Sequence, residues 1–396
     1  MSRRQFGAIL GAGLLSTFTG CQSSEGPQST VPIEERLSEL FGSLPGGLSA
    51  AAVNGESLIW SGGVGFADID NKMPMTADFI QNIASISKTV TATSIMQLWE
   101  KGAFKLDDDI NGFLPFKIRN PLFPDEPITF RQLLAHRSSI KDGPSYDKSY
   151  ACGDPAVSLA DWIQGYFSLG GDYYDSRDNF HSWAPGTLNP PESPRAYSNV
   201  AYGLLGFLVE QMTEGLFSNY CREHIFGPLQ MQQTGWHLSE VDQSRHVKLY
   251  SALPESNEEL YLAAEGVEKP HLAGDVYSHC LYSFYNYPDG LLRTNVKDLS
   301  RFLRAYINWG SLNGRKILEK DTVQIMLSEK HYGRALCWDG DGDIWSHDGG
   351  DPGVATYMAF TRKENLGIIL FFNAGEFSDY TNEIVLELYK TARSGA

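Results

Sequence analysis

Metal-binding signatures are missing from this chain. Its five cysteines and nine histidines include no Cys-x-x-Cys and no His-Glu-x-x-His, so no dedicated metal site is expected and no cofactor is called for. Positive charge is scarce as well. Lysine and arginine number 32 against 48 aspartate and glutamate, a formal net charge of −16, which disfavours nucleic acid and anionic lipid surfaces as partners. The apolar run from Gly7 to Gly20 is too short to span a bilayer. No internal repeat is evident. What remains, 396 residues that are 42% hydrophobic and 20% charged, has the composition of a globular protein with a large core.

The short apolar run fits an export signal. Arg3-Arg4 precede it in the manner of a twin-arginine signal, and it ends in Phe18-Thr19-Gly20-Cys21. That ending resembles the site at which bacterial lipoproteins are trimmed and acylated on cysteine, with Phe18 in place of the usual aliphatic residue. Residues 1–21 are therefore expected to be a signal ending at Cys21, the lipidated residue, and 22–30 a flexible Ser/Gln/Gly-rich tether. The expected product is an exported envelope protein held at the membrane by its lipid and facing the periplasm; simple cleavage to a soluble periplasmic protein is the alternative. Either way the compartment is oxidising. Cys152, Cys221, Cys280 and Cys337 permit two disulfides in three pairings, among which sequence does not choose. Cys337, in a strand-like context, reads equally as a buried free thiol.

Helical spacing of Ile33, Leu37, Leu40 and Phe41, closed by Pro45-Gly46-Gly47, predicts a helix over Pro32 to Leu44. Strands are expected at Leu48–Val53 and Ser57–Phe66, joined by a two-residue Asn54-Gly55 turn. From Phe104 to about Tyr285 the pattern is helical and loop-rich, with its clearest helices at Phe130–His136 and Ala201–Met212. A helix over Leu299–Ile307 follows. Strands then return at Arg334–Trp338, Asp343–Ser346, Val354–Phe360 and Gly367–Phe372, before a last helix from Tyr380 to Ala392. Strands at both ends imply one sheet-plus-helix domain from 31–103 and 286–396, interrupted by a mainly helical insertion over 104–285.

Chemistry centres on Ser85-Ile86-Ser87-Lys88. A spacing of three on a helix puts both side chains on one face. A serine hydroxyl needs an adjacent base, and a lysine serves once burial or neighbouring positive charge favours its neutral form. Ser138/Lys141 and Ser145/Lys148 share the spacing but lie in a polar stretch punctuated by Gly143-Pro144, which reads as loop. Ser85 instead opens a helix through Lys101 that stops at Gly102 and is rich in small residues, as a buried helix would be.

Two further motifs, Tyr197-Ser198-Asn199 and His347-Asp348-Gly349, accompany the first in order along the chain. Together they resemble the Ser-x-x-Lys, Ser-Asp-Asn and Lys-Thr-Gly set of the penicillin-recognising serine hydrolases, in the class C β-lactamase-like group that includes D-alanyl-D-alanine carboxypeptidases, D-residue aminopeptidases and esterases. Leu133–His136, Ala196–Gly206, Ile225–Leu229 and Pro288–Leu291 read as further landmarks of that group. Tyr306-Ile307-Asn308 and His331-Tyr332-Gly333 match by spacing alone. The resemblance implies an α/β (α+β) fold of β-lactamase/transpeptidase type, an antiparallel sheet flanked by helices. It implies Ser85 as nucleophile, Lys88 and Tyr197 sharing proton transfer, and Asn199 bonding Lys88 and the substrate carbonyl. His347 is the third catalytic landmark, with Asp348 and Gly349 lining the substrate and the backbone N–H groups of Ser85 and Gly350 receiving the oxyanion.

Asp348 stands where the β-lactamases and carboxypeptidases usually carry a hydroxyl that binds a substrate carboxylate, and Arg137-Ser138-Ser139 departs from the pattern after the histidine. The expectation is a serine hydrolase acting through an acyl-enzyme on a small-molecule or peptide substrate, an esterase or peptidase with weak β-lactamase activity at most. A D-alanyl-D-alanine carboxypeptidase or class C-type β-lactamase is the alternative. A non-catalytic envelope binding protein of the same fold is the alternative from another class, and labelling of Ser85 by a serine-reactive phosphonate separates it from the enzyme.

Overall fold

The computed structural model describes residues 32–42, 44–188, 196–252, 272–273, 276–328, 330–340, 342–375 and 381–395. The expected signal, tether and Cys21 lie outside the described residues. Among the described residues no helix is long and apolar enough to cross a membrane.

After helix α1 (Ile33–Phe41), the chain enters β1 (Gly47–Asn54), β2 (Leu58–Asp68) and β3 (Met73–Pro74). Its last third supplies β4 (Asp339–Gly340), β5 (Ile344–Asp351), β6 (Val354–Thr361) and β7 (Leu366–Phe372). All seven form one sheet in the order β4-β5-β6-β7-β1-β2-β3. The seam between the chain's two ends is the antiparallel pair of β1 and β7, with Leu48 opposite Phe372 and Asn54 opposite Leu366.

Alternation along these strands divides the apolar residues between two cores. Ala51, Val53, Met358, Phe360, Ile369 and Phe371 face the large core, which includes Phe302 and Leu303 of helix α4 (Val296–Ile307). Leu48, Ala50, Tyr357, Ile368 and Leu370 face Leu37 and Phe41 of α1 and Ile384 and Leu388 of α5 (Thr381–Ser394). With helices on both faces, β1, β6 and β7 are buried at every position.

Helix α2 (Ser87–Glu100) runs through the large core beside α3 (Val200–Thr213) and is buried from Ser87 to Leu98. Burial of so many hydroxyls is tolerable because each finds a main-chain partner, Thr91 and Ser87 at Pro288 and Leu292 and three others in the helix's own turns. Thr89 Oγ1 donates to Ile86 O, Thr93 Oγ1 to Thr89 O and Ser94 Oγ to Thr91 O, at 2.7, 2.7 and 2.8 Å.

Several local expectations are corrected. The hairpin after β1 forms, but its turn is longer than Asn54-Gly55: Asn54 Oδ1 accepts from the N–H groups of both Glu56 and Ser57, at 2.9 and 2.7 Å. Arg334–Trp338 is not a strand. Cys337 there has φ 75° and donates its N–H to Leu134 O, so the sheet starts only at Asp339. Strand β5 extends through His347-Asp348-Gly349, which sits inside the strand instead of following it. Phe130–Leu134 ends short because His136 turns to φ 54°. Between the two halves of the sheet the chain also makes small ribbons, Ala151–Cys152 with Tyr282–Ser283, and Leu249–Ala252 with Val276–His279.

Cys152 and Cys280 form a disulfide across the first ribbon, while Cys221 and Cys337 are buried free thiols.

Candidate active site

Ser85 lies in a single 3₁₀ turn, Ala84–Ile86, that leads into α2. Ala84 has φ 46°, a conformation alanine rarely adopts, at a cost of about 1–3 kcal/mol that the surrounding packing must offset. Strand β5 helps to hold it. A β-carbon on Gly349 would stand 2.6 Å from Ile83 O and 2.9 Å from Ser85 N, so only glycine allows the strand this close to the turn. Thr356, opposite Gly349 on β6, adds a hydrogen bond from its Oγ1 to Ile83 O at 2.8 Å. Gly350 is exposed beside this junction, with open space where a side chain would go.

Lys88, one turn into the helix, is fully buried and donates from Nζ to Ser85 Oγ at 3.1 Å. It also donates to the main-chain oxygen of Asp289 at 2.7 Å, and Asp289 Oδ2 lies 3.4 Å away. Tyr197 adjoins Ser85 and Lys88, with Lys88 Nζ 5.0 Å from the centroid of its ring. Its ring stacks on His136, centroids 4.3 Å apart, and His136 Nδ1 accepts the Ser198 N–H at 3.2 Å. Burial drives the His136 pKa well down, so this supporting ring is neutral.

Burial works against the charge on Lys88, but Tyr197 and Asp289 outweigh it and hold the ammonium above its ordinary pKa. Burial likewise raises the Tyr197 phenol, against the pull of the Lys88 charge. Tyr197 holds the Lys88 ammonium only through its phenolate charge, so the two groups titrate as one coupled pair, and the ammonium–phenolate form is the one that sets a base beside Ser85. Acidic groups, not a neighbouring cation, face Lys88, so this setting favours its charged form over the neutral one.

Asn199 also departs from expectation. Its Nδ2 donates to Asp142 Oδ2 at 3.0 Å, and among the described residues Lys88 Nζ donates to Ser85 and Asp289 and not to Asn199. Asp142 accepts in addition from Asn199 N, Val200 N and Ser198 Oγ, at 3.1, 3.0 and 3.2 Å, and so fastens the whole Tyr197-Ser198-Asn199 segment to the start of α3. His347 is buried within β5, its Nδ1 2.7 Å from the carbonyl oxygen of Asp348. Asp348, half-buried, pairs in register with Tyr357, and beyond burial its charge adds to the upward shifts of both Tyr357 and Tyr197.

The rival motifs are used elsewhere. Ser138 Oγ accepts the Ile140 N–H while Lys141 pairs with Asp178, and Ser145 Oγ donates to Tyr173 O. Tyr306 is a core residue bonded to Thr93 and packed on Trp338, and His331 sits in a tight turn bridged to Arg334. Sequence reading missed Asp142 and Asp289. Asp289 falls within the landmark Pro288–Leu291, but nothing in the residue string marks it as 2% exposed.

A family model described as Beta-lactamase matches residues 37–389. The chain belongs to the beta-lactamase family. Protein flp of Staphylococcus aureus (strain MW2) is 23% identical to it over 88% of this chain, which spans only 63% of that protein's length. Penicillin-binding protein 4* of Bacillus subtilis (strain 168) is 24% identical over 84% of this chain and 69% of its own. Among solved structures, D-amino acid amidase from Ochrobactrum anthropi SV3 complexed with D-phenylalanine superposes with a TM-score of 0.70 at 24% identity, covering 92% of this chain and 99% of the amidase. The shared fold is the antiparallel sheet with flanking helices expected from the motifs.

Proposed function

We propose that this protein hydrolyses a neutral ester or an amine-bearing amide through a Ser85 acyl-enzyme. The observation that carries the reading is the hydrogen bond from Lys88 Nζ to Ser85 Oγ at 3.1 Å, with Tyr197 beside both. Ser85 attacks the acyl carbon as Tyr197, in its phenolate form beside the Lys88 ammonium, takes the seryl proton; the phenol then returns that proton to the leaving group. Water enters by the reverse route and releases the acid. The N–H groups of Ser85 and Gly350 stabilise the oxyanion. His347 and Gly349 fix the strand that brings Gly350 there, and Asn199 acts by holding the Tyr197 segment on Asp142.

Asp348 favours substrates without a carboxylate near the reacting centre. That choice is supported by its place one residue before the glycine that meets Ser85, and it sets ester or aminoacyl amide hydrolysis ahead of carboxypeptidase or β-lactamase turnover. The similarity to an amidase of D-amino acids fits the same preference. We further propose that acylated Cys21 anchors the protein to the membrane, two or more chains being needed for stable attachment; recovery of the mature protein entirely in the soluble fraction with an unmodified N-terminus overturns this.

A fluorophosphonate tests the nucleophile. Wild-type protein becomes labelled on Ser85 and hydrolyses p-nitrophenyl butyrate. Ser85→Ala, which removes one hydroxyl, loses both while keeping its melting temperature, and Ser138→Ala and Ser145→Ala lose neither. An unlabelled, inactive wild type favours the binding-protein reading.

A further inference from the structure

Besides Ser85, the Lys88 amine meets a buried polar cluster that the mechanism above does not use. Asp289 is its centre. Tyr146 donates its hydroxyl to Oδ2 at 2.8 Å and Asn286 Nδ2 donates to Oδ1 at 2.9 Å. Asn286 in turn donates to Asn199 O and accepts from Trp162 Nε1, both at 2.9 Å. The carboxylate is thus rigidly held, 2% exposed, 3.4 Å from the amine that touches the candidate nucleophile. Burying a carboxylate is costly unless a charge partner faces it, and the neighbouring cation is Lys88. Among the described residues the other titratable groups that act on it and on Lys88 include Tyr146 and Asp142 from the 142–146 segment and Tyr197.

We propose that Asp289 is a positioning residue whose carboxylate keeps the mobile proton of the Ser85–Lys88–Tyr197 group on Lys88, and so sets the pH above which Ser85 becomes reactive. This rests on the serine-hydrolase reading of the site. No bond is made or broken by Asp289. Its negative charge stabilises the ammonium and opposes the phenolate, so whichever of the two must lose its proton to activate Ser85 does so at higher pH than it would alone. Burial lifts Asp289 itself to about 6, with Lys88, Asn286 and Tyr146 holding it from going further, so the charge is in place at neutral pH.

The test is the rate of fluorophosphonate labelling against pH, for wild type, Asp289→Asn and Asp289→Ala. Both variants keep the main-chain oxygen that Lys88 also uses. Removing the charge moves the acid limb to lower pH by about one unit or more, about tenfold faster labelling at a pH on the wild-type limb. A limb that stays in place in both variants, whether the rate is unchanged or uniformly lower, overturns the proposal and leaves Asp289 a structural residue. Loss of labelling at every pH in soluble variants with a cooperative melt overturns it too, since Asp289 would then be needed for the transfer itself. Should Asp289→Asn fail to fold, Asp289→Ala carries the comparison, its smaller side chain leaving no donor against Asn286. Wild type that is never labelled fails the reading of the site, whereas labelled wild type with an unmoved limb fails this inference alone.

Discussion

Gly349 presses its α-carbon against the Ser85 turn so closely that a β-carbon would come within 2.9 Å of the Ser85 amide nitrogen. That nitrogen is one of the two proposed oxyanion donors. Gly349→Ala therefore strikes geometry more than charge. The added methyl meets main-chain atoms and Thr356 and has no flexible neighbour to displace. We expect a stability loss of about 1–3 kcal/mol and a fall in kcat of about 100-fold, as a displacement near 1 Å would give. Denaturant titration and ester kinetics on the same sample check both, and a variant with wild-type kcat would remove Gly349 from the oxyanion site.

Stability should also carry the mark of Asp289. Its folded pKa, about 6, lies above the ordinary 3.8 because burial disfavours the charge. The folded state therefore holds that proton more tightly than the unfolded chain does. The resulting stabilisation is complete below about pH 4 and is lost as pH rises through 6. Two units correspond to about 3 kcal/mol. Measured against Asp289→Asn by urea titration, wild type should lose roughly that much relative stability between pH 4 and pH 7; a difference that is flat with pH contradicts the assignment.

The disulfide joins cysteines 128 residues apart. Its ribbon also touches the far end of β5, since Tyr150 donates to Asp351 Oδ1 and Tyr282 to Pro352 O, each at 2.9 Å. Cys152→Ser with Cys280→Ser should cost about 2–4 kcal/mol by freeing the unfolded chain, and should lower kcat severalfold by loosening the strand that carries Gly349 and Gly350. Activity before and after mild reduction, with the double variant as control, reads the second effect.

Asp348→Thr addresses substrate choice. An anionic substrate group about 4 Å from the carboxylate meets roughly 4 kcal/mol of repulsion at an effective dielectric near 20, before solvent and salt reduce it. Even about 1.4 kcal/mol is tenfold in rate. The ratio of kcat/KM for a chromogenic cephalosporin to that for p-nitrophenyl butyrate should rise about tenfold or more in the variant. A ratio that stays or falls takes the discriminating charge away from Asp348.

What was legible in the sequence was whatever repeats with a simple period or sits in a short motif. The strand expected over Val354–Phe360 and the helical spacing before Gly47 reappear as β6 and α1, and Lys88 lies against both Ser85 and Tyr197. Cys337 misled because its apolar neighbours are buried by a bend whose φ of 75° leaves no periodic trace. Asp289 and Asp142 were missed for a related reason. Their roles depend on partners far away in sequence, Lys88 being 201 residues from Asp289 and Asn199 being 57 from Asp142, and a composition reading treats both acids as solvated.

The pairing of β1 with β7 has a bearing on biosynthesis. Strand β1 is complete at Asn54, but its partner is not finished until Phe372. At about 5–20 residues per second, roughly 300 intervening residues take about 15–60 s to translate. Throughout that interval one edge of β1 is unpaired, and the turn around Ser85 lacks Gly349 and Thr356. The nascent chain thus carries an open strand edge, exposed to edge-to-edge aggregation, and the proposed Ser85 site can assemble only after almost the entire polypeptide has been made.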